Sequence, residues 1–136
     1  MTYSAKMKGY KEHQAHYKKI ERKMQGKAGD PLLQAVHQGA LEVQRVAQTR
    51  YLTGPRPHRL GVISGRLRGD IKGRAKRHGN RVVGITGTNV SYGAIHELRG
   101  VGKAKKKRPF LRPALNDSRK FILKKIDRAF KEVYKK

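Results

Sequence analysis

The chain has 136 residues, 36% of them hydrophobic, which is enough for one domain with a single core. Lys and Arg number 34 against 9 Asp and Glu, a net charge of +25; a single-sign field of that size implies a polyanionic partner or acidic protein neighbours. No apolar run approaches the ~20 residues a membrane span needs, the basic N-terminus lacks the apolar stretch of a signal peptide, and zero Cys excludes a disulfide framework, a thiol nucleophile and a cysteine-based zinc site.

Met7, Tyr10, Tyr17, Ile20 and Met24 share one helical stripe and predict a helix over 9–25, with residues 3–8 open to a short leading strand. Gly26 and Gly29 break that pattern. Asp30-Pro31 is a start signal, Asp as N-cap and Pro at the first helical position. Leu33, Val36, Ala40, Val43 and Ala47 then recur at spacings of three and four, so 31–51 is the expected main core helix. Residues 53–65 hold Gly54, Pro55, Pro57, Gly61 and Gly65 and read as a loop in which Leu60, Val62 and Ile63 have surface to bury.

Leu67 and Ile71 lead into an expected strand near 68–76. Gly79-Asn80 reads as a hairpin turn, and Val82 to Thr88 as the returning strand. Asn89 to Gly93 is a turn, and Ala94 to Leu98 fits a short helix or a strand. Residues 99–108 carry six Lys/Arg and no acid, a basic loop. In Arg108-Pro109-Phe110-Leu111-Arg112-Pro113-Ala114-Leu115 two prolines stiffen a segment that pins Phe110 and Leu111 into the core and launches the last helix, 113–134. The expected fold is α+β: one domain over 1–136, with a small antiparallel sheet of three or four strands from 68–98, covered by two or three long helices. Leu33, Val36, Val43, Leu67, Val83, Ile85, Phe110, Leu111, Ile122, Ile126 and Phe130 are the expected core.

Chemistry-bearing patterns are sparse. The acids are scattered, and neither His13 with His16 nor His96 with Glu97 is joined by further ligands at zinc spacing. The glycines at 61, 65, 69 and 73 lack any phosphate-loop pattern. Arg68-Gly69-Asp70 is an adhesion tripeptide in letters only. No catalytic residue, cofactor or metal is therefore expected. Charge without a reading module gives sequence-independent, salt-sensitive phosphate contact, and Lys103, Lys105, Lys106, Lys107 and Arg108 are the candidate contacts to a polyanion or partner.

Three stretches in order resemble a known family. Ser64-Gly65-Arg66-Leu67-Arg68, continuing to Ile71, resembles the T-G-x-L-R-x-S-I motif of tail-completion (head–tail joining) proteins of long-tailed double-stranded DNA phages. Gly87-Thr88-Asn89-Val90, Tyr92-Gly93, Glu97 and Gly100 are similar to their G-T-N-x-x-Y-A-x-x-x-E-x-G. Residues 108–115 resemble their R-P-F-L-R-P-A-L, and Met7-Lys8-Gly9-Tyr10 resembles their opening. The chain departs from the pattern in Ser64, in Gly69-Asp70, in a longer link before the first motif and in a higher charge. The resemblance implies a non-catalytic α+β subunit of a virion, made in the host cytoplasm and placed at the neck. There it would form a six- or twelve-fold ring with itself, touching a head connector or head-closure protein, a tail terminator or tail-tube protein, and packaged DNA. Arg66, Arg68, Glu97 and Arg112, with Arg108, are the expected motif or interface residues, through ion pairs. A basic nucleic-acid-binding protein of ribosomal type is the alternative, which accounts for the charge but not for the three motifs.

Overall fold

A computed structural model describes residues 10–25, 30–53, 65–100 and 107–134. Their order is α1 (Tyr10–Gln25), α2 (Pro31–Val46) running on through a π-helical turn (Ala47–Tyr51), α3 (Arg66–Asp70), β1 (Lys72–His78), β2 (Arg81–Gly87), α4 (Ser91–Ala94) with a second π-helical turn (Ile95–Arg99), and α5 (Leu111–Tyr134). The α+β class holds. α2 is the central element, with the β1–β2 hairpin on one side and α5 on another. No helix among the described residues is long and apolar enough to cross a membrane.

α2 begins as its sequence dictates. The Asp30 Oδ1 accepts from the Leu33 amide at 3.1 Å, and Pro31 occupies the first turn, where its missing N–H costs nothing. The other Asp30 oxygen pairs with the Arg77 guanidinium at the far end of β1, so one carboxylate fixes both the helix start and the hairpin tip. Ala35, Gly39, Ala40, Val43 and Val46 are buried, at helical spacing. Of these, Val43 and Val46 join Ala47, Leu52, Leu67, Ile71, Val90, Phe110 and Ala114 in the core cluster, with Tyr51, Leu111 and Ile122 packed against it.

The hairpin is antiparallel, Gly73 opposite Thr86, Ala75 opposite Gly84 and Arg77 opposite Val82. Those pairs face α2. Gly73 lies so close that a Cβ there would collide with the Ala40 carbonyl, and one on Gly84 would stand 2.8 Å from Val36 Cγ1. Cross-links complete the contact. The Thr86 hydroxyl donates to the Ala40 carbonyl at 2.8 Å, and the Gly73 amide donates to Gln44 Oε1 at 2.8 Å.

Several expectations are corrected. The sheet of the described residues has two strands, not three or four. Residues 66–70 form a helical turn, because Gly65 takes a positive φ of 74° and its carbonyl accepts from the Gly69 amide at 2.8 Å. After β2 the chain turns away from the sheet, since the Asp70 carboxylate draws in Thr88 and Asn89, and 91–99 is helical. Val83 and Ile85 are exposed, because the period of two places Val82, Gly84 and Thr86 on the α2 side. Phe130 is also exposed, as Ala129 and Val133 take the buried face of α5. α5 starts at Leu111, two residues early, so that Pro113 is its third residue. α1 follows expectation in extent, with Ile20 buried but Tyr17 exposed. Met7, Leu60, Val62 and Ile63 lie outside the described residues.

Candidate functional site

The three motif-bearing stretches are far apart in sequence, and the fold brings them to one place. Leu67 and Ile71 from the first, Val90 and Gly93 from the second, and Phe110 and Ala114 from the third are all buried. Gly93 sits at their junction. A Cβ there would lie 2.9 Å from Thr88 Cγ2, 3.1 Å from Leu67 Cδ1 and 3.6 Å from Phe110 Cζ, so a side chain is excluded where the stretches meet. Phe110 has no exposed surface.

Two carboxylates lock this junction. Glu97 Oε2 accepts from the amides of Phe110 at 2.7 Å and Leu111 at 3.0 Å, and its Oε1 accepts from Arg112 at 2.9 Å. These are donors that the start of a helix leaves unpaired, and an anion placed there also meets the positive end of the helix dipole. The π-helical turn widens the chain just where Glu97 must swing toward α5, and it closes when the Gly100 amide donates to the Ile95 carbonyl at 2.8 Å. Asp70 does the same for the other stretch. Its Oδ2 accepts from the Thr88 hydroxyl and the Asn89 amide, both at 2.6 Å, and these hold its carboxyl below the usual range, the hydroxyl most.

Beside this junction runs an open apolar groove of about 790 Å³. Its floor is α2 at Val36, Gly39 and Val43, and Ile122 of α5 closes against Gly39, whose absent side chain admits it. Its rims are Ile85 of β2, Leu98 of the second π-helical turn and Leu115 of α5, exposed by 66%, 67% and 52%. Three large apolar side chains around one concavity mark a surface suited to a protein neighbour. Leu98 lies next to Glu97, and Leu115 ends the third motif stretch. The apolar content of the motifs is thus split between buried core and exposed rim.

The expected site residues fall as follows. Lys103, Lys105 and Lys106 lie outside the described residues. Lys107 is exposed, and the Arg108 amide donates to the His96 carbonyl at 3.1 Å. Arg66 and Arg68 are exposed on α3, which is held to the π-helical turn after α2 by the Gln48 side-chain amide, donating to the Arg68 carbonyl at 2.7 Å. Arg112 is exposed and reaches Glu97 through its backbone amide. Glu97 holds its motif through backbone amides where ion pairs were expected. Sequence reasoning missed the rim residues Leu98 and Leu115. Their signal was available in α5, where Ala114, Ser118, Ala129 and Val133 define the buried face and Leu115 falls one residue off it. Among the described residues no group of three or more His, Asp or Glu side chains converges.

No protein-family model matches the chain, and no curated protein or solved structure gives a match.

Proposed function

We propose that the chain is a structural subunit of a phage neck, joining a DNA-filled head to a tail as a ring of identical copies, with no catalytic step. The observation that carries this reading is the convergence of residues 65–71, 87–100 and 108–115. Stretches that resemble the motifs of tail-completion proteins cooperate here in one junction, closed by Glu97 and Asp70. The groove rimmed by Ile85, Leu98 and Leu115 then supplies the protein-contact face that a ring subunit needs, and each copy would present it to the next in a head-to-tail arrangement that closes by rotation. Head-side and tail-side proteins occupy the remaining surface, and many weak copies of one contact add through multivalency.

Electron microscopy of a lysate from a phage lacking this chain tests the reading. Filled or leaking heads beside separate tails are expected. Joined, normal virions would end it, as would empty heads that never packaged DNA.

A second reading, a basic nucleic-acid-binding protein of ribosomal type, is favoured by the acid-free stretch from Lys72 to Gly87. It predicts co-purification with RNA that resists high salt, and no neck defect.

A further inference from the structure

The outer face of the β1–β2 hairpin is unlike the rest of the described surface. On β1 the residues turned away from α2 are Lys72, Arg74, Lys76 and His78, all exposed. Across from them on β2 stand Gly87, Ile85, Val83 and Arg81. The face therefore has a column of cations beside the apolar Val83 and Ile85, with Arg81 at the turn end. Residues 72–87 hold five Lys/Arg and no acid. The inward cation, Arg77, is paired with Asp30. Asp70, at the edge of this face, already accepts from Thr88 and Asn89. The basic surface of α5, by contrast, is diluted by acids. On α5, Lys131 pairs with Asp127 at 2.8 Å, and Asp117 meets Arg50 at 3.3 Å and the Tyr51 hydroxyl at 2.6 Å. Asp70 offsets Lys72 in part, and the positive field of the hairpin is less compensated than that of α5.

Geometry adds to charge. Alternate residues of a strand are about 6.6–6.8 Å apart, so Lys72, Arg74 and Lys76 form an even row of donors over roughly 13 Å. That row lies along a shallow depression of about 450 Å³, which also takes in Val83, Ile85, Thr88 and Asn89. An even row of cations suits an even row of anions.

We propose that the outer face of the hairpin binds the phosphodiester backbone of a nucleic acid, Lys72, Arg74 and Lys76 taking successive phosphates of one strand, with Val83 and Ile85 lying beside the sugars. The contact is independent of sequence, because none of these groups is held in place to read a base edge. It does not rest on the neck reading: Lys72, Arg74 and Lys76 lie outside the groove, and only Ile85, at the edge between them, borders both surfaces.

The test is anisotropy of a fluorescent DNA duplex titrated with the full chain over a series of salt concentrations. Each phosphate neutralised contributes about 0.9 to the slope of log K against log salt. The variant Lys72→Gln/Arg74→Gln/Lys76→Gln should lower that slope by about 2.7 and weaken binding at least tenfold at low salt. The variant Arg119→Gln/Lys120→Gln/Lys124→Gln removes the same net charge from exposed positions of α5, and it should lower the slope by less than about 1. All six side chains are exposed, so thermal melting should leave both variants folded. Equal effects of the two triples would show that net charge alone binds DNA and would overturn the proposal, as would an unchanged slope in the hairpin triple. A polyglutamate of matched charge that outcompetes the duplex would assign the face to an acidic protein and overturn it too. Replacing the duplex by single-stranded DNA or by RNA identifies the form preferred, and tighter binding of any of them through the same three side chains supports it.

Discussion

Glu97 holds the start of α5. One carboxylate serves three backbone amides that α5 cannot pair itself, and two of those amides lie beside the buried Phe110. Glu97→Ala removes the acceptor and leaves the donors, so it should cost about 2–4 kcal/mol of unfolding free energy by denaturant titration. Glu97→Gln keeps one good acceptor and should cost less. If the alanine variant unfolds at the same midpoint as the parent, the carboxylate is not what holds the start of α5. Asp30 and Asp70 extend the argument to pH. Burial pulls the Asp30 carboxyl up, but the Arg77 guanidinium and the Leu33 and Leu32 amides outweigh it and leave the group below its usual range; Asp70 is held low by Thr88 and Asn89. A carboxyl whose folded pKa lies below its unfolded value of about 3.9 gives stability that is complete above that value and is lost as pH falls through the folded one. Stability should therefore hold from neutrality to about pH 5 and decline below about pH 4. A melting temperature that rose on acidification over that range would contradict the assignment.

At the scale of elements, the contact of the hairpin with α2 depends on glycine, whereas α3 does not. Gly73 faces the Ala40 carbonyl at a separation that leaves no room for a Cβ, while nothing lies within 4 Å of one built on Gly69. Gly73→Ala should destabilise by about 1–3 kcal/mol through forced separation of β1 from α2. Gly69→Ala, exposed within α3, should stabilise by up to about 1 kcal/mol through the unfolded chain. Calorimetry that gave both substitutions the same sign would refute this account of the packing. The same elements show what was legible beforehand. α2 was readable to its ends because Asp30-Pro31 and the 3.6-residue stripe agree. The hairpin was readable from Gly79-Asn80, but its facing was not. In the run 82–86 β-branched residues fall on both faces, so either facing buries something, and Gly73 and Gly84 against α2 decide which. α4 with its π-helical turn was ambiguous because Ala94 to Leu98 has no period of its own; its conformation is fixed by a long-range bond from Glu97 to residues thirteen to fifteen positions on. The junction was foreshadowed by the order of the three stretches, whereas the groove was not, since it forms only where four separate elements meet.

For the molecule as a whole, two surfaces with opposite physics should respond to salt in opposite directions. Copies of a chain at +25 repel one another, so a ring can close only where apolar contact outweighs that repulsion. Added salt shortens the Debye length, to about 8 Å at physiological ionic strength, and weakens repulsion without weakening apolar burial. Self-association through Ile85, Leu98 and Leu115 should therefore strengthen as salt rises, while phosphate contact at Lys72, Arg74 and Lys76 weakens. Leu98→Asp separates the two. The side chain is 67% exposed, so the substitution should change folding stability by no more than about 0.5 kcal/mol. It should still abolish self-association, because it places a charge on the rim of the groove that a partner must desolvate. Sedimentation velocity of the parent and Leu98→Asp across a salt series makes the measurement, and duplex binding by the same variant serves as the control, expected to be unchanged. Association that dissolves as salt is added would mean that charge pairs join the copies, and the groove would then lose its role. Association that persists unchanged in Leu98→Asp would place the contact elsewhere on the subunit.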